Sequence, residues 1–267
     1  VTAKSRAHVS EERRAALNAG LVASTDLVEC LVVDHVALAR AVLPKAGVTL
    51  PAEEALAKIA GAPLKARLAF FASLLARHPK GRTALATHAS DTVRSWVTLA
   101  YEGEKDPQKR LLSLRPFAAD AHFGVREYAW MAYRSALVAD LDGALAPLLP
   151  WTAEEDANLR RFAAEATRPR GVWCAHLRPL RSDPRRGLPI LEPLARDPAR
   201  YVQLSVGNWL NDASKDDPAF VEEVTARWLA AHRCPETVHI ATRALRTLRA
   251  KNPSSPIERF AGTRQRS

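Results

Sequence analysis

Three acidic residues stand at spacings that would bring carboxylates together: Glu127, Glu165 and Asp212. Each lies in a stretch of helical periodicity, His122–Trp130, Arg160–Trp173 and Ser205–Pro218. With Val125, Leu159 and Val202 set as equivalent, the acids fall at positions +2, +6 and +10. Steps of four residues stay near one face of a helix while climbing a turn at a time. Neighbouring helices pack about 8–10 Å apart, so carboxylates on such a diagonal can bracket one small cation. Tryptophans accompany them: Trp130 three residues after Glu127, Trp209 three before Asp212, and Trp173 beyond the break at Pro169-Arg170-Gly171. An aromatic face beside a carboxylate receives a flat or sugar-like cation.

A second set of residues suits anions. Position +9 carries Arg134, Arg168 and Asn211 in successive repeats, and donors at helix separation can follow successive phosphates. Arg126 belongs with them. The loop Arg168-Pro-Arg170-Gly171 is expected to lead into a helix whose free amides add a further anion site, and Ser214 and Lys215 extend the row. Other candidates have structural readings. Trp96, Trp151 and Trp228 are expected in the core, as is part of Trp209; His122 is expected to cap a helix and Glu222-Glu223 to be exposed.

The bulk numbers agree with a polyanionic partner. The 267 residues carry a net charge of +10, and between Arg160 and Arg200 ten arginines face Glu165, Asp183, Glu192 and Asp197, a local +6. With 47% hydrophobic and 25% charged residues the chain is not a disordered one. No apolar run approaches the roughly 18–20 residues that cross a bilayer, and Val1–Ser10 lacks the apolar core of a signal peptide, so a cytoplasmic chain at the bacterial nucleoid is expected. Cys30, Cys174 and Cys234 are widely spaced and form neither a disulfide framework nor a zinc knuckle; Cys174 and His176 lack a second half, and no metal is expected. Gly-x-Gly-x-x-Gly, Walker and His-Glu-x-x-His motifs are missing, and no cofactor is expected.

The elements that must position these residues are helices. Apolar residues recur at helical spacing, and alanine, leucine and arginine favour that state. Val93, Val125, Leu159, Val202 and Val238 each open an amphipathic segment at intervals of 32, 34, 43 and 36 residues, which suits helix-pair repeats. Positions 0, +3, +4 and +7 form the buried stripe, ending with Val238, Ala241, Thr242 and Leu245. Asp106-Pro107, Asp183-Pro184, Asp197-Pro198 and Asp217-Pro218 read as N-caps with proline in the first turn. Asp26–Leu43 and Pro51–Ala76 read as longer capping helices. The expected fold is all-α, a right-handed α-solenoid of HEAT-like helix-pair repeats. It forms one domain over 1–250, with capping helices in 1–89, regular repeats in 90–250 and a flexible tail over 251–267.

Three long stretches carry a family resemblance: His122–Trp130, Arg161–His176 and Asn208–Asp216. There the chain resembles the DNA alkylation repair glycosylases built from HEAT-like repeats, and within them the AlkC branch. The resemblance spans Asp26 to Leu248. It implies a monofunctional enzyme that removes cationic methylated bases, 3-methyladenine and also 1-methyladenine and 3-methylcytosine, from duplex DNA, without metal or cofactor, acting as a monomer. It also implies that Glu127, Glu165 and Asp212 are the acids at the lesion, with Trp173 the aromatic beside it and Trp130 and Trp209 nearby. Two other readings stand beside this one: a non-catalytic HEAT-repeat binder of bent or branched DNA, and a protein-interaction scaffold.

Overall fold

The computed structural model of the chain describes residues 9–251 apart from Val172; the expected tail over 252–267 lies outside the described residues. Seventeen α-helices and no strand occur among the described residues. They are α1 (Glu11–Asn18), α2 (Leu27–Val32), α3 (His35–Val42), α4 (Glu53–Ala60), α5 (Leu64–Ala76), α6 (Pro79–Leu85), α7 (Asp91–Leu99), α8 (Pro107–Ala118) and α9 (Phe123–Ala139). Then follow α10 (Leu141–Leu145), α11 (Ala157–Ala166), α12 (Arg178–Ser182), α13 (Leu188–Leu191), α14 (Arg200–Ala213), α15 (Pro218–His232), α16 (Pro235–Ala244) and α17 (Arg246–Lys251). The chain divides into two compact units, one up to Ala132 and one from Tyr133.

The helix starts follow local chemistry. Side chains of Asp106, Asp156 and Asp217 accept from backbone N–H groups two or three residues on and open α8, α11 and α15. Such caps satisfy amides that have no partner inside the helix. Asp183 does the same for a 3-10 turn at Pro184–Gly187. Asp197 departs from expectation: α14 begins later, at Arg200, because the Asp197 carboxylate is held by Arg160 and by Ala199 N. The two long N-terminal helices are each broken. Val33-Asp34 separates α2 from α3, where Asp34 starts a new helix by accepting from Val36 N and Ala37 N. Gly61-Ala62-Pro63 separates α4 from α5, since the residue before a proline avoids helical geometry.

The first unit packs around Trp96, fully buried and stacked on Phe71 with ring centroids 4.5 Å apart. In the second, Phe162 packs between Trp151 and Tyr133, with centroids 4.8 and 5.9 Å away. The buried stripes at Val125, Leu159 and Val202 match the sequence register, with Tyr128 the partly exposed member. The stripe at Val238 does not. Val238 is 37% exposed and Thr242 is exposed, whereas Thr237, Ile240, Ala241 and Ala244 are buried, a slip of one residue. Thr237 settles the register by donating its hydroxyl to Ala195 O at 2.9 Å, which turns it inward.

One side-chain device recurs at position +1 of the repeats. Arg94 Nη1 donates to His88 O and Ala89 O, Arg126 Nη1 to Asp120 O and Ala121 O, and Arg160 Nη1 to Glu154 O and Glu155 O. Gln203 reaches the same places with its amide, at Asp197 O and Pro198 O. The remaining nitrogens of Arg94 grip the Asp120 carboxylate, and those of Arg160 grip Asp197. A backbone turn buried against a neighbouring helix must find donors for its carbonyls, and in these four repeats one side chain supplies them.

Candidate functional site

In the second unit two of the three acids meet through one guanidinium. Glu165, in the last turn of α11, and Asp212, in the last turn of α14, are 3% and 4% exposed. Arg168 follows α11 and lies between them: its Nε and Nη2 meet Asp212 Oδ2 at 2.8 and 2.7 Å, and its Nη1 meets Glu165 Oε2 at 3.2 Å. Burial works against the charge of Arg168, but Glu165 and Asp212 outweigh it and raise its pKa. The other carboxylate oxygens are also engaged. Ser205 Oγ donates to Glu165 Oε1 at 2.6 Å, with Arg161 Nη2 3.6 Å from the same oxygen, and Lys215 Nζ lies 3.1 Å from Asp212 Oδ1. A buried carboxylate needs ion-pair and hydrogen-bond partners, and here both acids have them.

The C-terminal end of α11 and the loop after it are held from below by Arg134. That side chain is 1% exposed and donates to Ala166 O at 2.9 Å, Arg168 O at 2.6 Å and Ala175 O at 2.7 Å. Its place in the expected phosphate row is therefore corrected: three backbone carbonyls already take the guanidinium, which positions the segment bearing Arg168. The same correction applies to others. Asn211, 1% exposed, accepts from Thr247 N and Oγ1; Ser214, also buried, donates to Asn211 O; Arg126 carries the repeat device described above. Arg170 is paired with Asp216 at 2.6 Å, a surface contact shared with Arg181. Nor does Gly171 lead straight into a helix: α12 starts only at Arg178 and has five residues.

The tryptophans separate into three cases. Trp209 is fully buried, donates from Nε1 to Thr167 O at 2.9 Å, and is so tightly seated that a Cβ on Gly187 would fall 2.3 Å from its ring. It is a core residue, and the expectation that it touches a ligand is corrected. Trp173 is 73% exposed. In the first unit Trp130 is nearly buried and its indole N–H donates to Glu127 Oε2 at 2.9 Å, so it orients that acid.

Among the described residues the first unit also gathers Cys30, Asp91 and His122, with potential ligand atoms within 4.8 Å of one another. Ser24 lies at their centre: its N and Oγ donate to Asp91 at 2.8 Å, its carbonyl meets His122 Nε2 at 2.9 Å, and its Oγ is 3.0 Å from Cys30 Sγ. Burial, ahead of all else, pushes the Cys30 thiol up to about 11. His122 Nδ1 accepts from Gly124 N at the start of α9, the capping role expected of it. These bonds tie the segment before α2 to α7 and α9, a structural knot.

Sequence reading missed Ser205, Arg161 and the direct arginine bridge. Arg161 was four residues before Glu165, a spacing that signals an ion pair on a helix; Ser205 gave no signal, since its partner lies 40 positions away.

Known proteins bear on this arrangement. A family model described as DNA alkylation repair enzyme matches residues 127–246, which include Glu127, Glu165, Arg168 and Asp212. The Bacillus subtilis (strain 168) protein YhaZ, described as uncharacterized, is 35% identical over 148 residues, 55% of this chain and 40% of that one. Among solved structures, Pseudomonas fluorescens alkylpurine DNA glycosylase AlkC, bound to DNA containing an abasic site analog, matches with a TM-score of 0.66 and 25% identity over 93% of this chain. The chain spans 65% of the length of that structure. Streptococcus mutans UA159 smu.31 shares the fold at a TM-score of 0.53 and 20% identity, covering 72% of this chain and 88% of that one. Across residues 127–246, where the candidate acids lie, this chain is similar to the DNA alkylation repair enzyme family.

Proposed function

We propose that this chain is a monofunctional DNA glycosylase that hydrolyses the N-glycosidic bond of cationic alkylated bases in duplex DNA, 3-methyladenine first and 1-methyladenine and 3-methylcytosine with it. The observation that carries the reading is the pair of buried carboxylates, Glu165 and Asp212, bridged by one shared guanidinium inside the family-matching segment. A methylated base that already bears positive charge leaves without a strong general acid. The remaining work is to stabilise an oxocarbenium-like sugar and to orient water, which suits fixed carboxylates. Asp212 takes the role nearest the sugar and the water. Glu165 draws in the cationic nucleotide and the exposed Trp173 offers it an aromatic face, while Glu127, in the first unit, adds a negative charge of its own that attracts such a nucleotide.

The arginine bridge adds a condition to this scheme. Arg168 holds two acids with one positive charge, so a cationic nucleotide approaching Asp212 competes with it for Oδ2 while Lys215 keeps Oδ1. The scheme uses the chain's own side chains and no cofactor. The decisive test is Asp212→Asn on methylated duplex DNA with released bases identified by chromatography. Release of 3-methyladenine is expected to vanish with duplex binding retained. Undiminished release would overturn the assignment of Asp212, and binding without release by the unaltered chain would favour the non-catalytic binder of bent or branched DNA.

A further inference from the structure

The second unit contains two arginine forks of the same design with opposite electrostatic outcomes. In the first, Arg170 and Arg181 converge on Asp216: Arg170 donates at 2.6 and 3.0 Å and Arg181 at 2.8 and 3.1 Å, so both oxygens of the carboxylate are used. The hydrogen bonds from Arg181, foremost, hold the Asp216 carboxyl down at about 2. In the second, Arg243 and Arg246 converge on Asn208, whose single amide oxygen accepts from Arg243 Nε and Arg246 Nη1, each at 2.9 Å. An amide gathers two guanidinium groups as a carboxylate does, but it neutralises neither.

No carboxylate touches that pair among the described residues, and Glu165 acts on Arg243 only at longer range. Among the described residues neither Arg243 nor Arg246 meets a carboxylate, and neither does Arg200, whose polar partner is Gln203 Oε1 at 3.5 Å. Burial, followed by the neighbouring charges of Arg246, Arg168 and Arg200, lowers the pKa of Arg243. The cluster therefore stands beside Arg168, the bridge between the candidate acids. The backbone is also shaped for it. A Cβ on Gly207 would lie 2.8 Å from Arg243 Cβ and 3.1 Å from its Cγ, so α14 lacks a side chain where the stem of Arg243 crosses it on the way to Asn208.

We propose that Arg243 and Arg246, gathered by Asn208, form a phosphodiester-binding site that grips the DNA backbone next to the candidate catalytic acids. Guanidinium forks with unused N–H donors match the oxygens of a phosphate, and the missing internal anion is the counter-charge that the backbone brings. This inference rests on the reading of duplex DNA as the partner. It also replaces the residues first expected to hold phosphates, of which Arg126, Arg134, Asn211 and Ser214 are committed to backbone or core.

The test turns the open fork into the closed one. Asn208→Asp supplies an internal carboxylate of nearly the same shape, and the fork on Asp216 shows that such a geometry is compatible with two arginines. Binding of unmodified duplex DNA is measured by fluorescence anisotropy across a salt series, with thermal melting as the folding control. Asn208→Asp is expected to melt no lower than the parent chain and to bind DNA about tenfold more weakly; exposed Arg246→Gln is expected to flatten the slope of log affinity against log salt by about 1. Parent-like affinity and slope in both variants, with a parent chain that binds, would overturn the site and leave the DNA reading intact. A parent chain that fails to bind at low salt would instead overturn the DNA reading. Inorganic phosphate forms the third arm: if it raises the melting temperature of the parent chain alone while DNA binding is equal in all three proteins, the site takes free phosphate and the backbone assignment is wrong.

Discussion

Arg160 and Arg168 both end on a buried aspartate of the second unit, Asp197 for one and Asp212 for the other. By distance and burial they look alike. What separates them is where the rest of each guanidinium goes. Arg160 gives its other nitrogen to the carbonyls of Glu154 and Glu155, and the same arrangement returns at Arg94 with Asp120 and, with an amide in place of the guanidinium, at Gln203. Arg168 gives its other nitrogen to a second acid, Glu165. A contact that recurs from one repeat to another belongs to the architecture, because those helix pairs face the same need to satisfy a turn. A contact that unites two acids at one place, with Lys215 and Ser205 around them, concentrates charge beyond what packing needs.

The comparison can be broken at its structural half. Asp197→Ala would strand the Arg160 guanidinium and the Ala199 N–H, and removing one partner of a buried pair costs about 3–5 kcal/mol. Urea unfolding should show a loss of that size, and a loss below about 1 kcal/mol would mean that the recurring pair is dispensable.

The functional half is sharpened by Arg168→Met. Without the shared cation, Glu165 and Asp212 lose the hydrogen bonds that fix them toward one another. Base release is expected to slow about tenfold, as when a contact that positions reacting groups is lost, with thermal melting as the folding control. Parent-like release would remove Arg168 from the positioning of the acids.

A smaller effect is expected in the first unit, where Arg13 holds Glu29 through two hydrogen bonds. Those bonds, foremost, lower the Glu29 carboxyl from 4.5 to about 2. A carboxylate depressed in the folded state contributes stability above its unfolded pKa and loses it as pH falls through the folded value. The stabilising contribution should therefore fade between about pH 4.5 and 2, and Glu29→Gln should flatten that part of the stability curve. Parallel curves for the two proteins would show that the pair is no anchor.

Much of this was legible along the chain. The all-α class followed from periodicity, three of the four stripes lay in the register read from Val125, Leu159 and Val202, and Asp106-Pro107 and Asp217-Pro218 marked α-helix starts, because caps and amphipathic faces are set by residues within a turn or two. That Glu165 and Asp212 stand on neighbouring helices was legible for the same reason, as was His122 beside α9. The distant partners of the arginines were not. Arg94 meets Asp120 from 26 positions away and Arg168 meets Asp212 from 44, and sequence spacing holds no information on such pairs. The single-residue slip at Thr237 has the same origin, a hydroxyl drawn to Ala195 O from 42 positions off. Local chemistry thus determined the helices and which side chains bear charge; only the tertiary packing decided which of those charges are spent inside the protein and which, as at Asn208, are left for a partner.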